Sequence, residues 1–132
     1  MIKKINPKQL TKPLGSYSQG TAVDIDRMRL LFITGQVALN SKGNIVGKNN
    51  ITKQSDQVFK NIAIILTEAG GNFSNVVKVT NFITDIKLYP KFSRIRNKYL
   101  KNSLPASSLF EVPKLFKEGL LIEVEAIAII PK

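Results

Sequence analysis

"VVKVTNFITD", Val76 to Asp85, is the stretch on which the fold turns. Its β-branched and aromatic residues read as a strand, and apolar side chains fall on both of its alternating faces. Such a strand belongs in a sheet covered on both sides. Just before it, "ITKQSDQVFKNIAIILTEAGG" (51 to 71) places Ile51, Val58, Phe59, Ile62, Ile65, Leu66 and Ala69 at helical spacing, and Gly70 and Gly71 supply a stop. Asn50 or Thr52 can cap this helix. One face of it must lie on the sheet. A single helical layer in a small domain leaves the other face of the strand wet, so oligomerisation is expected.

Downstream, residues 88 to 101 predict a second helix with three stripes. Leu88, Phe92, Ile95 and Tyr99 form the core stripe. Lys87, Lys91, Arg94, Lys98 and Lys101 form a basic flank, and Tyr89, Ser93, Arg96 and Leu100 form a mixed flank suited to a boundary or a pocket. Further out, "SYSQGTAVDI" (16 to 25) and "LLFITG" (30 to 35) read as a hairpin joined at "DRMR", and "NSKGN" reads as a turn. "LPASSLFEV" (104 to 112) and "LLIEVEAIAII" (120 to 130) are the last two strands. The order β-β-α-β-α-β-β is an α+β plan, with two helices on one face of a mixed sheet.

Composition narrows the chemistry. At 132 residues the chain has the length of one domain, spanning 1 to 132, and it carries no run near the roughly 18 apolar residues of a membrane-spanning helix. The start "MIKKINPKQL" lacks the apolar stretch of a secretory signal, so a cytoplasmic location away from membranes is expected. There is no cysteine and no histidine. Disulfides, thiolate nucleophiles and serine-histidine triads are therefore excluded, and any catalysis must use carboxylates, hydroxyls, amines, guanidinium groups, backbone or ordered water. No phosphate loop, dinucleotide fingerprint or metal-ligand cluster is present, and no cofactor is expected. The net charge of +11 fits a polyanionic partner, and equally fits a chain rich in Lys, Ile and Asn together.

Five stretches in order, "GSYSQG" (15 to 20), "LFITGQVAL" (31 to 39), "NVVKVTNFITDI" (75 to 86), "LPASS" (104 to 108) and "EVEAIA" (123 to 128), resemble the RidA/YjgF family. These are the reactive-intermediate (enamine/imine) deaminases, also called the L-PSP endoribonuclease family. The resemblance spans nearly the whole chain. It implies a chorismate-mutase-like protomer in a homotrimer, with helices outside, sheets forming a central barrel, and ligand clefts between subunits. In the family the cleft binds small 2-imino or 2-oxo acids, and water hydrolyses the imine to release ammonia. Carried over by position, Tyr17 lines the cleft, Thr34 and Gly35 offer hydroxyl and backbone contacts, Tyr89 is an aromatic wall, and Glu123 activates water.

This sequence departs from the family at two of these positions. The helix asparagine falls at Ser93, and the substrate-binding arginine falls at Ser107. One extra residue also lies in the "LFKEGLL" stretch. A guanidinium presents two parallel donors and a permanent charge to a carboxylate, where serine offers one neutral donor. Losing that clamp should weaken carboxylate binding on the order of 10²-fold. Arg96, on the Tyr89/Ser93 stripe, is either a relocated anchor or a solvated surface residue. Glu123 and Glu125 share a strand face about 7 Å apart, which does not make the two-sided carboxylate pair of a glycosidase; Glu125 is expected in a structural contact. Lys91, Arg94 and Lys98 give the second reading, a basic protein that contacts RNA nonspecifically or cleaves it and so lowers translation, and a solvated helix face is their alternative. Without interleaved aromatic residues, sequence-specific RNA reading is not expected.

Overall fold

A computed structural model describes residues 1–132. The strands are β1 (Ile2–Ile5), β2 (Gly20–Ile25), β3 (Met28–Gln36), β4 (Val76–Ile83), β5 (Ala106–Glu111) and β6 (Ile122–Pro131), and the helices are α1 (Ile51–Glu68) and α2 (Tyr89–Leu100). They form one six-stranded mixed sheet in the order β1-β2-β3-β6-β4-β5, in which only β4 and β5 run parallel. The α2 crossover supplies the long connection that a parallel pair requires. The expected α+β plan stands, with one strand added.

That strand is β1. Its four residues, "IKKI", bury only Ile5 and pair with β2 at the sheet edge, a segment too short and too charged to stand out as a strand. The hairpin strand expected from residue 16 starts at Gly20 instead. Before it, the Gln19 amide donates to Asn6 Oδ1 at 2.9 Å, so the chain leaves the ladder there. The turn is also tighter than "DRMR" suggested: Asp26 and Arg27 alone make it, with Asp26 in the left-handed region at φ 51°, and Met28 and Arg29 belong to β3. Arg29 locks this corner by donating to Asp24 at 2.7 and 3.0 Å and to the Ala69 carbonyl at 3.1 Å.

α1 is capped by Asn50, whose Oδ1 accepts from the Lys53 amide at 3.0 Å, and the chain turns away at Gly70 with φ 89°. Val58, Phe59, Ile62, Ile65 and Leu66 are buried against the sheet. α2 joins through aromatic packing, with Phe59 stacked on Phe92 at 6.2 Å and on Tyr99 at 5.2 Å. The Tyr99 hydroxyl donates to Asp56 at 2.5 Å, tying the two helices and drawing the Asp56 carboxyl below its ordinary range.

The two faces of the sheet differ. Leu31, Ile33, Val79, Ile83, Ile122, Val124 and Ala126 are buried under the helices. On the opposite face Phe32, Phe110 and Ile129 are 42%, 53% and 39% exposed, and Phe82 stacks on Phe110 at 6.0 Å. β4 thus has one covered face and one open one. No helix is long and apolar enough to cross a membrane.

Candidate functional site

β3 and β6 pair residue for residue as far as Ile33 and Ala126, then the register shifts so that Gln36 faces Val124. The irregularity holds Thr34 and Gly35 out of the ladder. Thr34 is fixed twice, its amide donating to the Gln19 carbonyl at 2.9 Å and its hydroxyl to the Ser18 carbonyl. Gly35 has no side chain, and the Glu123 carboxylate occupies the space that one would fill.

Here a cavity of about 220 Å³ opens, walled by Tyr17, Thr34, Gly35, Glu123, Leu14 and Phe116. Tyr17 stands at the rim, its hydroxyl accepting from the Leu14 amide at 3.1 Å. The floor is polar, buried and internally satisfied. Gln36 Nε2 donates to Gln19 Oε1 at 2.8 Å, Gln19 Nε2 to the Thr11 carbonyl at 3.1 Å, and Asn61 Nδ2 to the carbonyls of Val37 and Leu39. Such a network sets the shape of the cavity because each member would be costly to leave unpaired. Gln19 and Gln36 stand inside the "GSYSQG" and "TGQ" stretches, where their motif position was the available signal.

No Lys or Arg lines this cavity. Glu123 is half-buried with no ion pair, so burial pushes its carboxyl above the ordinary range, and the neighbouring charge of Glu125 adds to the shift. Glu125 itself is exposed and makes no side-chain contact of the expected structural kind; electrostatic pressure on Glu123 is its visible effect. In the loop before β6 Gly119 adopts φ 95°, and β6 brings Glu123 against Gly35.

The remaining predicted residues lie elsewhere. Ser107 pairs with Val79 on β5, and its hydroxyl accepts from Asn81 Nδ2 at 3.1 Å. Glu123 pairs with Phe82, which pairs with Phe110, so Ser107 is two strands away, three positions along, and on the other face of the sheet. Beside Ser107 a second cavity of about 400 Å³ is lined by Arg96, Asn97, Leu100, Lys101, Pro105 and Ser107. Arg96 does not project into solvent. It is half-buried, donates to the Tyr89 hydroxyl at 3.1 Å and to Ser93 Oγ at 2.9 Å, and lies over the Tyr89 ring at 5.4 Å. The guanidinium in turn lowers the Tyr89 hydroxyl's pKa. Lys91, Arg94 and Lys98 are exposed on the outer side of α2, away from both cavities. No three Asp or Glu side chains gather as a metal-ligating group.

The model of the endoribonuclease L-PSP family matches residues 8–130. The chain belongs to the RidA/YjgF (endoribonuclease L-PSP) family. It is 32% identical to the rat 2-iminobutanoate/2-iminopropanoate deaminase over 127 residues, covering 96% of this chain and 89% of that one. YyfA from Yersinia pestis, a Rid-family protein of unknown function, superposes with a TM-score of 0.87 at 36% identity, covering 97% of this chain and 98% of the other. E. coli TdcF with bound serine superposes with a TM-score of 0.83 at 25% identity over 98% of this chain and 99% of the other. Within the RidA/YjgF family, then, this chain carries Glu123 against Gly35 and a serine at position 107.

Proposed function

We propose that this protein is a RidA-type homotrimer that binds small imines, enamines or 2-oxo acids in clefts between subunits and hydrolyses their C=N bonds, with a specificity altered by Ser107. The observation that carries this reading is the half-buried, unpaired carboxyl of Glu123, set over Gly35 in a cavity that Tyr17 and Thr34 complete. A carboxyl with a raised pKa holds and releases protons nearer neutrality, as water activation requires. Glu123 accepts a proton from water as the water oxygen bonds to the imine carbon and the C=N π pair moves to nitrogen. The nitrogen takes up that proton, giving a carbinolamine. Glu123 then passes the carbinol O–H proton to the nitrogen, the C–N bond breaks, and ammonia leaves as the oxygen lone pair forms the carbonyl. The distance between Glu123 and the Ser107 cavity within one chain supports the trimer: only a second copy would bring the two halves together, and it would also cover Phe32, Phe110 and Ile129. The sheets would then close on themselves as a barrel with the helices outside.

The test generates 2-aminoacrylate with a separate lyase and follows formation of the 2-oxo acid. Acceleration dependent on Glu123 is the expected result, and a rate equal to that without the protein overturns the reading.

A second reading, nonspecific RNA contact or cleavage, is favoured by one observation. Lys87, Lys91, Arg94, Lys98 and Lys101 are all exposed, and none is engaged in an ion pair. It requires RNA affinity that falls steeply with salt and weakens when Lys91, Arg94 and Lys98 are changed to Gln. Salt-independent or absent binding dismisses it.

A further inference from the structure

We propose that the cavity between α2 and β5 is a carboxylate-binding site, with Arg96 supplying the anchor that position 107 lacks. This rests on the reading above and assigns the acid group of the ligand to a specific place. The cavity holds two cations, Arg96 and Lys101, and no acid. Arg96 forms no ion pair, although it is half-buried. A partly desolvated guanidinium without a counter-ion gains from an incoming anion far more than a solvated one does.

The donors are also arranged for a carboxylate. Nη1 is held by Tyr89 and one Nη2 proton by Ser93, and the cation lies over the rings of Tyr89 at 5.4 Å and Phe92 at 5.9 Å, so the guanidinium plane is fixed. Its other edge points Nε–H and the second Nη2–H at one acceptor, Asn97 Oδ1, at 3.1 and 3.0 Å. This edge is the two-pronged fork that a carboxylate accepts side by side. Asn97 is exposed and its amide is neutral. A ligand carboxylate that displaces it exchanges two bonds to one neutral amide oxygen for two parallel bonds to a charged acceptor, adding an ion pair with no rearrangement of the guanidinium. Ser107, on the same cavity wall, offers its hydroxyl proton to the same ligand.

The experiment compares 2-oxobutanoate with 2-butanone, which has the same chain length without the acid group, by titration calorimetry and ligand-observed NMR. Arg96→Ala should reduce the affinity ratio of 2-oxobutanoate over 2-butanone by about ten- to a hundred-fold. Asn97→Asp should reduce it similarly while leaving Arg96 in place, because its own carboxylate then occupies the fork. Arg96→Lys should fall between, with a charge and no fork. An unchanged ratio in both Arg96→Ala and Asn97→Asp overturns the anchor while leaving the Glu123 site standing. Failure of the wild-type protein to bind 2-oxobutanoate overturns both.

Discussion

The carboxylate of Glu123 lies against the Cα of Gly35, so that a β-carbon on residue 35 would overlap Oε2 and stand 2.8 Å from Cδ and 3.1 Å from Cγ. Gly35 does not adopt a left-handed conformation, so the demand for glycine here is one of space. Gly35→Ala must either push the carboxylate out of the cavity or move β3. Overpacking of this kind costs about 1–3 kcal/mol. The variant should lose at least about tenfold in kcat/KM for imine hydrolysis by displacing the carboxylate, and stability in urea unfolding to that extent only where β3 moves instead of the flexible Glu123 side chain. Unchanged values in both would show that the contact neither positions Glu123 nor constrains the strand.

Much of the fold was legible because its core elements obey strong periodicities. The stripe of α1, the two-faced β4 and the glycine stop at residues 70 and 71 each follow from local rules, and tertiary packing agrees with them. β1 was not legible, since four residues with two lysines make an edge strand only by borrowing hydrogen bonds from β2. The site divides the same way. Tyr17, Thr34, Gly35 and Glu123 could be named from motif position, but the Gln19–Gln36–Asn61 floor depends on register between distant strands and a helix. Likewise the fork that Arg96 presents to Asn97 depends on rotamers fixed by Tyr89 and Phe92, and no spacing rule reports that.

Glu123 should also give the protein a signature in its pH dependence. Burial raises its pKa, so the folded chain binds more protons than the unfolded chain at pH values just above the ordinary glutamate range. The stabilising contribution is therefore present in full below that range and is lost as pH rises through the folded-state value. Glu123→Gln removes this titration. Urea unfolding between about pH 4 and pH 8 should show the variant gaining stability relative to wild type as pH rises. Its imine hydrolysis should fall by about 10²–10⁴-fold. Parallel stability curves would mean that the carboxylate is fully solvated.

The open face of the sheet carries the prediction for assembly. Phe32 is 42% exposed in the single chain and sits at its centre, on β3 between β2 and β6. Phe32→Asp leaves the chain's own core untouched, but in an oligomer it would bury an unpaired charge, which costs several kcal/mol. Wild type should sediment at three times the 14.7 kDa chain mass, and the variant at one chain mass with an unchanged far-ultraviolet spectrum. If the variant kept the wild-type mass, this face would not be the interface. If the variant were monomeric yet fully active, the clefts between subunits would not be the site.

Positions 107 and 96 should prove interdependent. Ser107 is exposed, so a longer side chain fits there, and Asn81 keeps its bond to the Ser108 carbonyl at 2.8 Å when the Ser107 hydroxyl is gone. Ser107→Arg places a second guanidinium on the wall of the cavity that Arg96 already lines. One carboxylate cannot take full forks from both, and the two cations repel each other. Because it replaces one neutral donor with a charged fork, Ser107→Arg should tighten 2-oxobutanoate binding by about tenfold or more, while making the Arg96 fork partly redundant. Arg96→Ala should cost much less in that background than in wild type, a coupling that a double-mutant cycle measures directly. Additive effects would place the two residues at separate sites, and the Arg96 fork would then have to serve something other than the ligand's acid group.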